Sequence, residues 1–285
     1  MTAILLEGKS IAENIKTALS VEVAALKARH GMGPKLVAIQ IGENASSSVY
    51  VKAQKKAAES IGIEYELKVL PDMISQSEAE GIIEALNKDI SASAVILQMP
   101  VPKSIDQKKL LNAIAPGKDA EGMHPENLGK ILLGQYRIAP CTAMAVMELL
   151  ESTGVDLYGK EAVVVGHSEI VGKPLSLMLL KKFATTTVCH IATGERGSLP
   201  DHVKRAEILV VAVGKAGVVK GEWVKDGAIV IDVGINKTGD KIVGDVEFET
   251  AAKKASYITP VPGGVGPITT TILMRNTVEQ FKARL

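Results

Sequence analysis

Two hydrophobic periods alternate along this chain. Short apolar runs rich in β-branched residues give way to stretches in which apolar positions recur every three or four residues, as buried strands and amphipathic helices require. Residues 4–8 suit a short first strand. Ser10, with Glu13 three residues on, has the form of a capping box. Ile11, Ile15, Ala18, Leu19, Val23 and Leu26 then give one long helix ending near Gly31. Strands are expected over 35–42, 64–70 and 94–98, and helices over 46–60, 76–87 and 105–114. A polar, glycine-rich loop over 116–129 breaks the series, and a loop of that length is a candidate active-site loop. Beyond it the pattern predicts a helix over 143–152, a strand over 161–165, a helix over 174–183 and a strand over 186–190. A helix over 200–206, strands over 208–212 and 228–232, and a last helix over 268–285 complete it. Strand and helix in regular alternation predict an α/β fold with parallel sheets. The expectation is two domains flanking a cleft, one over 1–140 completed by the C-terminal helix from about 270 to 285, the other over 141–269.

The second domain centres on residues 162–174. Ala162-Val163-Val164-Val165 reads as a buried parallel strand; Gly166, a polar turn and Gly172 lead into an apolar helix. Strand, glycine turn and helix N-terminus together form an anion site of the Rossmann type, because free backbone N–H groups and the helix dipole converge there. The usual Gly-x-Gly-x-x-Gly is absent, since Ser168 stands at the second glycine position, so an ordinary βα turn remains an alternative on this motif alone.

Composition narrows the class. The chain of 285 residues is 46% apolar and 23% charged, which fits globular domains rather than disorder. A net charge of +1, interspersed signs and only 3% aromatic residues make nucleic acid a poor partner. No apolar run approaches the roughly 20 residues of a membrane helix, and no secretory leader is visible. Cys141 and Cys189 lack metal-ligand spacing, so free thiols in a cytoplasmic protein are expected and no metal site is assigned.

Several polar residues are placed for chemistry. Tyr50 and Gln54 lie one helical turn apart and share a face. A Tyr-x-x-x-Lys pair would suggest a short-chain dehydrogenase, but position 54 is not lysine and the glycine turn comes over a hundred residues later, so that class is set aside. Gln98 ends a strand at the carboxyl edge of its sheet, where ligands bind, though a glutamine merely capping the strand fits equally. Asp119 and Glu121 sit two apart in the glycine loop and suit a cation or the edge of a polar heterocycle; a solvated loop is the plainer alternative. His167 and His190 follow the first two strands of the second domain. Lys52, Lys55 and Lys56 form a solvated helix face. The run 259–267 holds three prolines and three glycines, stiff turns with exposed backbone N–H groups that suit close approach to a ligand.

These motifs together resemble the methylenetetrahydrofolate dehydrogenase/methenyltetrahydrofolate cyclohydrolase family along essentially the whole chain. The carriers are Ser48-Val49-Tyr50-Val51, Gln98-Met99-Pro100, Lys118-Asp119-Ala120-Glu121-Gly122 with His124-Pro125, Pro140-Cys141-Thr142, the run 166–174, Asp232-Val233-Gly234-Ile235-Asn236 and the run 259–267. The resemblance implies a folate held in the cleft by Tyr50, Val51, Gln98, Met99, Pro100, Asp119, Glu121, Pro262, Gly263 and Gly264. It implies NAD or NADP on Thr142, Gly166, His167, Ser168, Ile170, Val171, Gly172, His190, Ile191, Arg196, Val213, Gly214, Asp232, Gly234, Ile235 and Thr271. Catalysis falls to Tyr50, Gln54, Gln98 and Glu121, and a homodimer is implied.

Four positions depart from the family pattern. Gln54 stands where a catalytic lysine is usual, Glu121 where aspartate is usual, and His167 and Ile191 where many members place an arginine and a serine near the adenosine ribose. The expectation is a dehydrogenase with weak or absent cyclohydrolase activity. Isoleucine binds no 2′-phosphate and histidine is mostly neutral at pH 7, which leans the coenzyme toward NAD; Arg196 is the residue that would reverse that lean. Retention of both activities, and a non-catalytic folate- or nucleotide-binding relative, are the alternatives.

Overall fold

The computed structural model describes residues 2–42 and 45–285, with side chains described outside 45–49. Ser46, Ser48 and Val49 of the motifs above therefore carry side chains outside the described residues. The chain runs β1 (Ile4–Leu5), α1 (Gly8–His30), β2 (Lys35–Ile41), α2 (Ala45–Ile61), β3 (Glu64–Leu70), α3 (Gln76–Lys88), β4 (Ala94–Leu97), α4 (Gln107–Ala113), α5 (Pro125–Leu132) and α6 (Cys141–Ser152). It continues with β5 (Glu161–Val165), α7 (Gly172–Lys181), β6 (Thr185–Cys189), α8 (Ile191–Glu195), α9 (Leu199–Arg205), β7 (Ile208–Val211) and β8 (Ile229–Asp232). The hairpin β9 (Asn236–Thr238) and β10 (Lys241–Val243), then α10 (Phe248–Ala251), β11 (Tyr257–Ile258) and α11 (Val265–Lys282) close it.

Two compact units divide these elements. One comprises residues 13–130, 135–141 and 270–285; the other comprises 1–12, 131–134 and 142–269. In the first, β3-β2-β4 form a parallel sheet, and β2 is buried on nearly every residue, as a central parallel strand should be. Val37, Ile39, Val95 and Leu97 pack with Ile83 and Leu110 in its core. Past β4 the chain returns to the sheet, because Val95 bonds the backbone of Lys118 and Ala120.

The second unit holds a six-stranded sheet in the order β1-β11-β8-β7-β5-β6, every pair parallel. The four-residue strands β7 and β8 are wholly buried, and α7 and α9 pack on β5 and β6. β5 is flanked by β6 on one side and β7 on the other, so the strand order reverses at β5, the place where open parallel sheets bind ligands.

Four local expectations change. Sequence order places β1 with the first unit, but it pairs with β11 at the edge of the six-stranded sheet. Ser10 is no N-cap: α1 begins at Gly8, the Ser10 hydroxyl donates back to the Glu7 carbonyl at 3.3 Å, and Glu13 pairs with Lys16. The loop expected over 116–129 is shorter, because α5 starts at Pro125, a residue suited to a first helical turn. Between β6 and α9 lies α8, and β9, β10 and β11 are strands too short to show a period.

The N-terminus of α1 is seated on the turn over 259–267. The Gly8 N–H donates to the Gly263 carbonyl at 2.9 Å, and a Cβ at Gly8 would lie 1.8 Å from the Gly264 carbonyl oxygen. That partner is backbone and cannot swing aside. Gly8→Ala is expected to lower stability by about 1–3 kcal/mol, the usual range for overpacking. A thermal midpoint equal to that of the unsubstituted chain would contradict this.

Candidate active site and dinucleotide pocket

In the first unit the polar groups gather at the carboxyl ends of the strands. β4 ends at Leu97 and delivers Gln98 there, 5% exposed. α2 carries Gln54, 9% exposed, one turn beyond Tyr50, which is 62% exposed. Gly62, in the left-handed region at φ 86°, turns the chain so that β3 brings Tyr65 back beside α2. Gln98 Nε2 donates to Gln54 Oε1 at 2.7 Å, and the Tyr65 hydroxyl donates to the same oxygen at 3.0 Å. Burial pushes the Tyr65 phenol up to about 12. Lys52, Lys55 and Lys56 are all exposed, so none replaces the side chain at 54. Met99 and Pro100 are exposed beyond the strand end, whereas Val51 is buried, which removes its side chain from the open surface expected of a ligand contact.

The loop after α4 is organised by Asp119. Its Oδ1 accepts from the N–H groups of Glu121 and Gly122 at 3.2 and 3.0 Å, and its Oδ2 from His124 N–H and Asn127 Nδ2 at 2.8 and 3.0 Å. Four donors fill the acceptor capacity of a carboxylate, so Asp119 shapes the loop instead of offering itself to a ligand. Gly122 is obligatory, because φ is 71° and a Cβ would lie 2.5 Å from the Ala139 carbonyl carbon. α11 braces the same loop: Asn276 Nδ2 donates to the Ala120 carbonyl at 2.8 Å, and Gln280 Nε2 to the Pro116 carbonyl at 2.9 Å. Lys118 is buried and donates to the carbonyls of Leu86 and Asp89, so it closes the end of α3. Glu121 is left as the loop's chemical group. Part of its side chain meets solvent, but its carboxyl is enclosed; burial and, secondarily, the Asp119 charge push it up to about 8. Cys141 is buried nearby in sequence contact with the loop, its Sγ 3.7 Å from the Ala120 carbonyl, and burial raises its thiol well above the usual range.

In the second unit a pocket of about 860 Å³ opens at the carboxyl ends of β5, β6 and β7. Gly166, His167, Ser168, His190, Ile191 and Val213 of the expected set line it. Gly166 has φ 122°, and a Cβ there would meet the Ala212 carbonyl at 2.3 Å; a Cβ on Gly172 would lie 2.0 Å from the Gly166 carbonyl. Both glycines thus let the turn close tightly onto α7, whose N-terminus favours an anion. Ser168 Oγ accepts from the Val171 N–H at 3.1 Å, a side-chain brace for the turn where a second glycine is usual. The rings of His167 and His190 meet edge to face, 5.3 Å apart.

Other expected cofactor residues stand behind that surface. Asp245, fully buried, accepts from the N–H groups of Val213, Gly214 and Lys215 and from Asn236 Nδ2, all within 2.9 Å. The N–H groups of Val213 and Gly214 are therefore taken and cannot bind a phosphate. Asp232 accepts from Gly234, Asp245 and Val246 N–H groups, and burial pushes its carboxyl up to about 6, so it ties β8 to the following hairpin and does not face a ligand. Ile170 and Ile235 are exposed, Val171 is buried, and neither Thr142 nor the fully buried Thr271 lines the pocket. Arg196 is exposed and outside the lining, while its neighbour Glu195 is within it, together with Lys215. In the turn over 259–267, Pro262 and Gly263 are exposed, but Gly264 is buried against Thr259 and has a packing role.

Sequence reasoning missed Tyr65, Asn127, Glu195, Asp245, Asn276 and Gln280. Only Asn127 carried a local signal, as a buried amide eight residues from the aspartate it satisfies.

A doubly wound parallel sheet with a glycine turn and a pocket at its reversal point defines a dinucleotide-binding α/β enzyme, and the first unit supplies a buried amide pair and an acidic loop. The chain belongs to the tetrahydrofolate dehydrogenase/cyclohydrolase family. Residues 6–121 match the model of that family's catalytic domain, and residues 140–285 the model of its NAD(P)-binding domain. It is 47% identical over 287 residues to the bifunctional protein FolD of Bacillus pumilus, covering 100% of both chains. Its structure is similar to that of the bifunctional enzyme FolD, methylenetetrahydrofolate dehydrogenase/cyclohydrolase, from Campylobacter jejuni, with TM-score 0.95 and 42% identity over 99% of this chain and 100% of that one. It is also similar to the methylenetetrahydrofolate dehydrogenase-cyclohydrolase of Trypanosoma brucei complexed with NADP cofactor and inhibitor, with TM-score 0.94 and 39% identity over 100% and 99%.

The Glu121 shift carries a pH signature. A carboxyl at about 8 in the folded chain, against 4.5 ordinarily, holds a proton that the unfolded chain has lost between those values. Stability is therefore full below the ordinary value and falls as pH rises toward 8, with a slope of up to about 1.4 kcal/mol per pH unit from this one group. Denaturant midpoints measured at pH 5 and pH 8 should converge in Glu121→Gln relative to the unsubstituted chain. An unchanged pH dependence in that variant would show that Glu121 is ionised in the fold at neutral pH.

Proposed function

We propose that this chain is a 5,10-methylenetetrahydrofolate dehydrogenase whose cyclohydrolase activity is weak or absent. The observation that carries the second half is Gln54, buried between Gln98 and Tyr65. In the reaction a hydride leaves the methylene carbon of the folate for the nicotinamide ring, giving 5,10-methenyltetrahydrofolate and the reduced coenzyme. That step needs the two carbons held in line and in contact more than it needs a base. Hydrolysis of the methenyl product is different, since water must lose a proton as it adds. An amide donates and accepts hydrogen bonds but exchanges no proton near neutral pH. Proton transfer by a placed side chain contributes ~10²–10⁴-fold, and Gln54 forgoes it. Glu121, the enclosed carboxyl of the loop, supports binding of the pterin edge, and the turn from Gly166 to Gly172 supports binding of the coenzyme phosphates. The dinucleotide group supplies the hydride acceptor when bound.

The same reading takes NAD over NADP as coenzyme. Ile191 is 75% exposed at the pocket and offers no cation, Glu195 brings a carboxylate into the lining, and Arg196 lies outside it. Glu195 offsets the charge of Lys215 in the same lining, so a 2′-phosphate dianion meets no net positive charge from this pair. A cytoplasmic homodimer follows from family resemblance.

Gln54→Lys tests the assignment. Methenyl formation and decay, followed separately with NAD and with NADP, are expected to show hydrolysis rising ~10²-fold or more in the variant. Formation should be faster with NAD in both proteins. No gain in hydrolysis, or a marked preference for NADP, would refute the corresponding half of the proposal.

A further inference from the structure

We propose that Tyr65 is a positioning residue for the folate, acting through Gln54; the proposal rests on the dehydrogenase reading above. Tyr65 lies on β3 and its hydroxyl donates to Gln54 Oε1 at 3.0 Å, while Gln98 Nε2 donates to that same oxygen at 2.7 Å. A carbonyl oxygen has two lone pairs, and both are taken. The Gln54 Nε2 group has no hydrogen-bond partner among the described residues.

Two hydrogen bonds converging on one atom hold a long, flexible side chain in a single place, with the Nε2 end of Gln54 turned away from both partners. Tyr65 comes from β3 and Gln98 follows β4, so the Gln54 oxygen is tied to the strands on either side of β2. The Tyr65 phenol, kept protonated up to about 12 by burial, retains the hydrogen for its bond across the whole working pH range. The remaining end of the Gln54 amide is thereby placed for the substrate. Tyr65 itself is one side chain removed from the ligand, so its effect is on placement.

The test is a double-mutant cycle of Tyr65→Phe and Gln54→Ala, read as kcat and KM for 5,10-methylenetetrahydrofolate in the dehydrogenase assay at saturating coenzyme. Tyr65→Phe is expected to raise KM several-fold, more than it lowers kcat, because it removes an interaction that serves ground and transition states alike. In the Gln54→Ala background the same change should leave KM where it is. A Tyr65→Phe protein that was merely less stable would lose active fraction, and so apparent kcat, at constant KM; that result overturns the proposal. So does an equal KM increase in both backgrounds. Absence of turnover in the unsubstituted chain would refute the dehydrogenase reading instead, and the cycle would then be read as folate Kd by calorimetry, with the same two outcomes.

Discussion

A parallel strand delivers the chain to one edge of its sheet and leaves there a loop whose backbone N–H groups need partners. Buried carboxylates meet that need in both units. Asp119 gathers four donors from residues 121–127, Asp245 four from residues 213–215 and 236, and Asp232 three from residues 234–246. A carboxylate accepting several N–H groups is a strong, short-range organiser, and leaving any of those donors unpaired in the interior would cost about 1–3 kcal/mol each. The loops that carry Glu121 and that line the dinucleotide pocket are therefore fixed before any ligand arrives. Glycine completes the arrangement where backbone must pass backbone, as at Gly166 with Ala212 and Gly122 with Ala139.

Against that fixed frame, the chemistry is set by very few groups. Gln54 sits in a buried polar niche built to hold it, with Gln98 and Tyr65 converging on one oxygen. Two donors satisfy the Gln54 oxygen, and none of Gln54, Gln98 and Tyr65 exchanges a proton near neutrality. Under the function proposed above, such a niche positions a substrate for hydride transfer and does little for hydrolysis. The 47% identical protein from Bacillus pumilus is named bifunctional, so the family frame is compatible with both reactions and the difference proposed for this chain rests on one side chain.

Much of this was legible in the sequence. The strands at β2 and β5 follow from apolar runs bounded by turn residues, and the family resemblance located Gln54, Gln98, Glu121 and the turn at Gly166. What escaped had physical reasons. The helix at α5 hid inside a polar loop because its first turn is Pro125-Glu126-Asn127, residues shared by loops and helix starts. β1 and β11 have two residues each, too few to carry a period, and their pairing joins opposite ends of the chain. Asp119, Asp232, Val213 and Gly214 lie close to ligand-facing segments, and no one-dimensional pattern tells a carboxylate turned to its own backbone from one turned to solvent. Tyr65 was missed because a tyrosine on a strand is ordinary, and its role depends on a helix eleven residues earlier.

The most direct measurement is the fate of the methenyl group in the unsubstituted protein. With 5,10-methylenetetrahydrofolate and NAD supplied, reduced coenzyme and 5,10-methenyltetrahydrofolate should accumulate in equal amounts, and the methenyl compound should then decay at the rate it shows in buffer alone. Conversion to 10-formyltetrahydrofolate well above that buffer rate would contradict the account, because it would require a proton-transfer group that Gln54 does not provide.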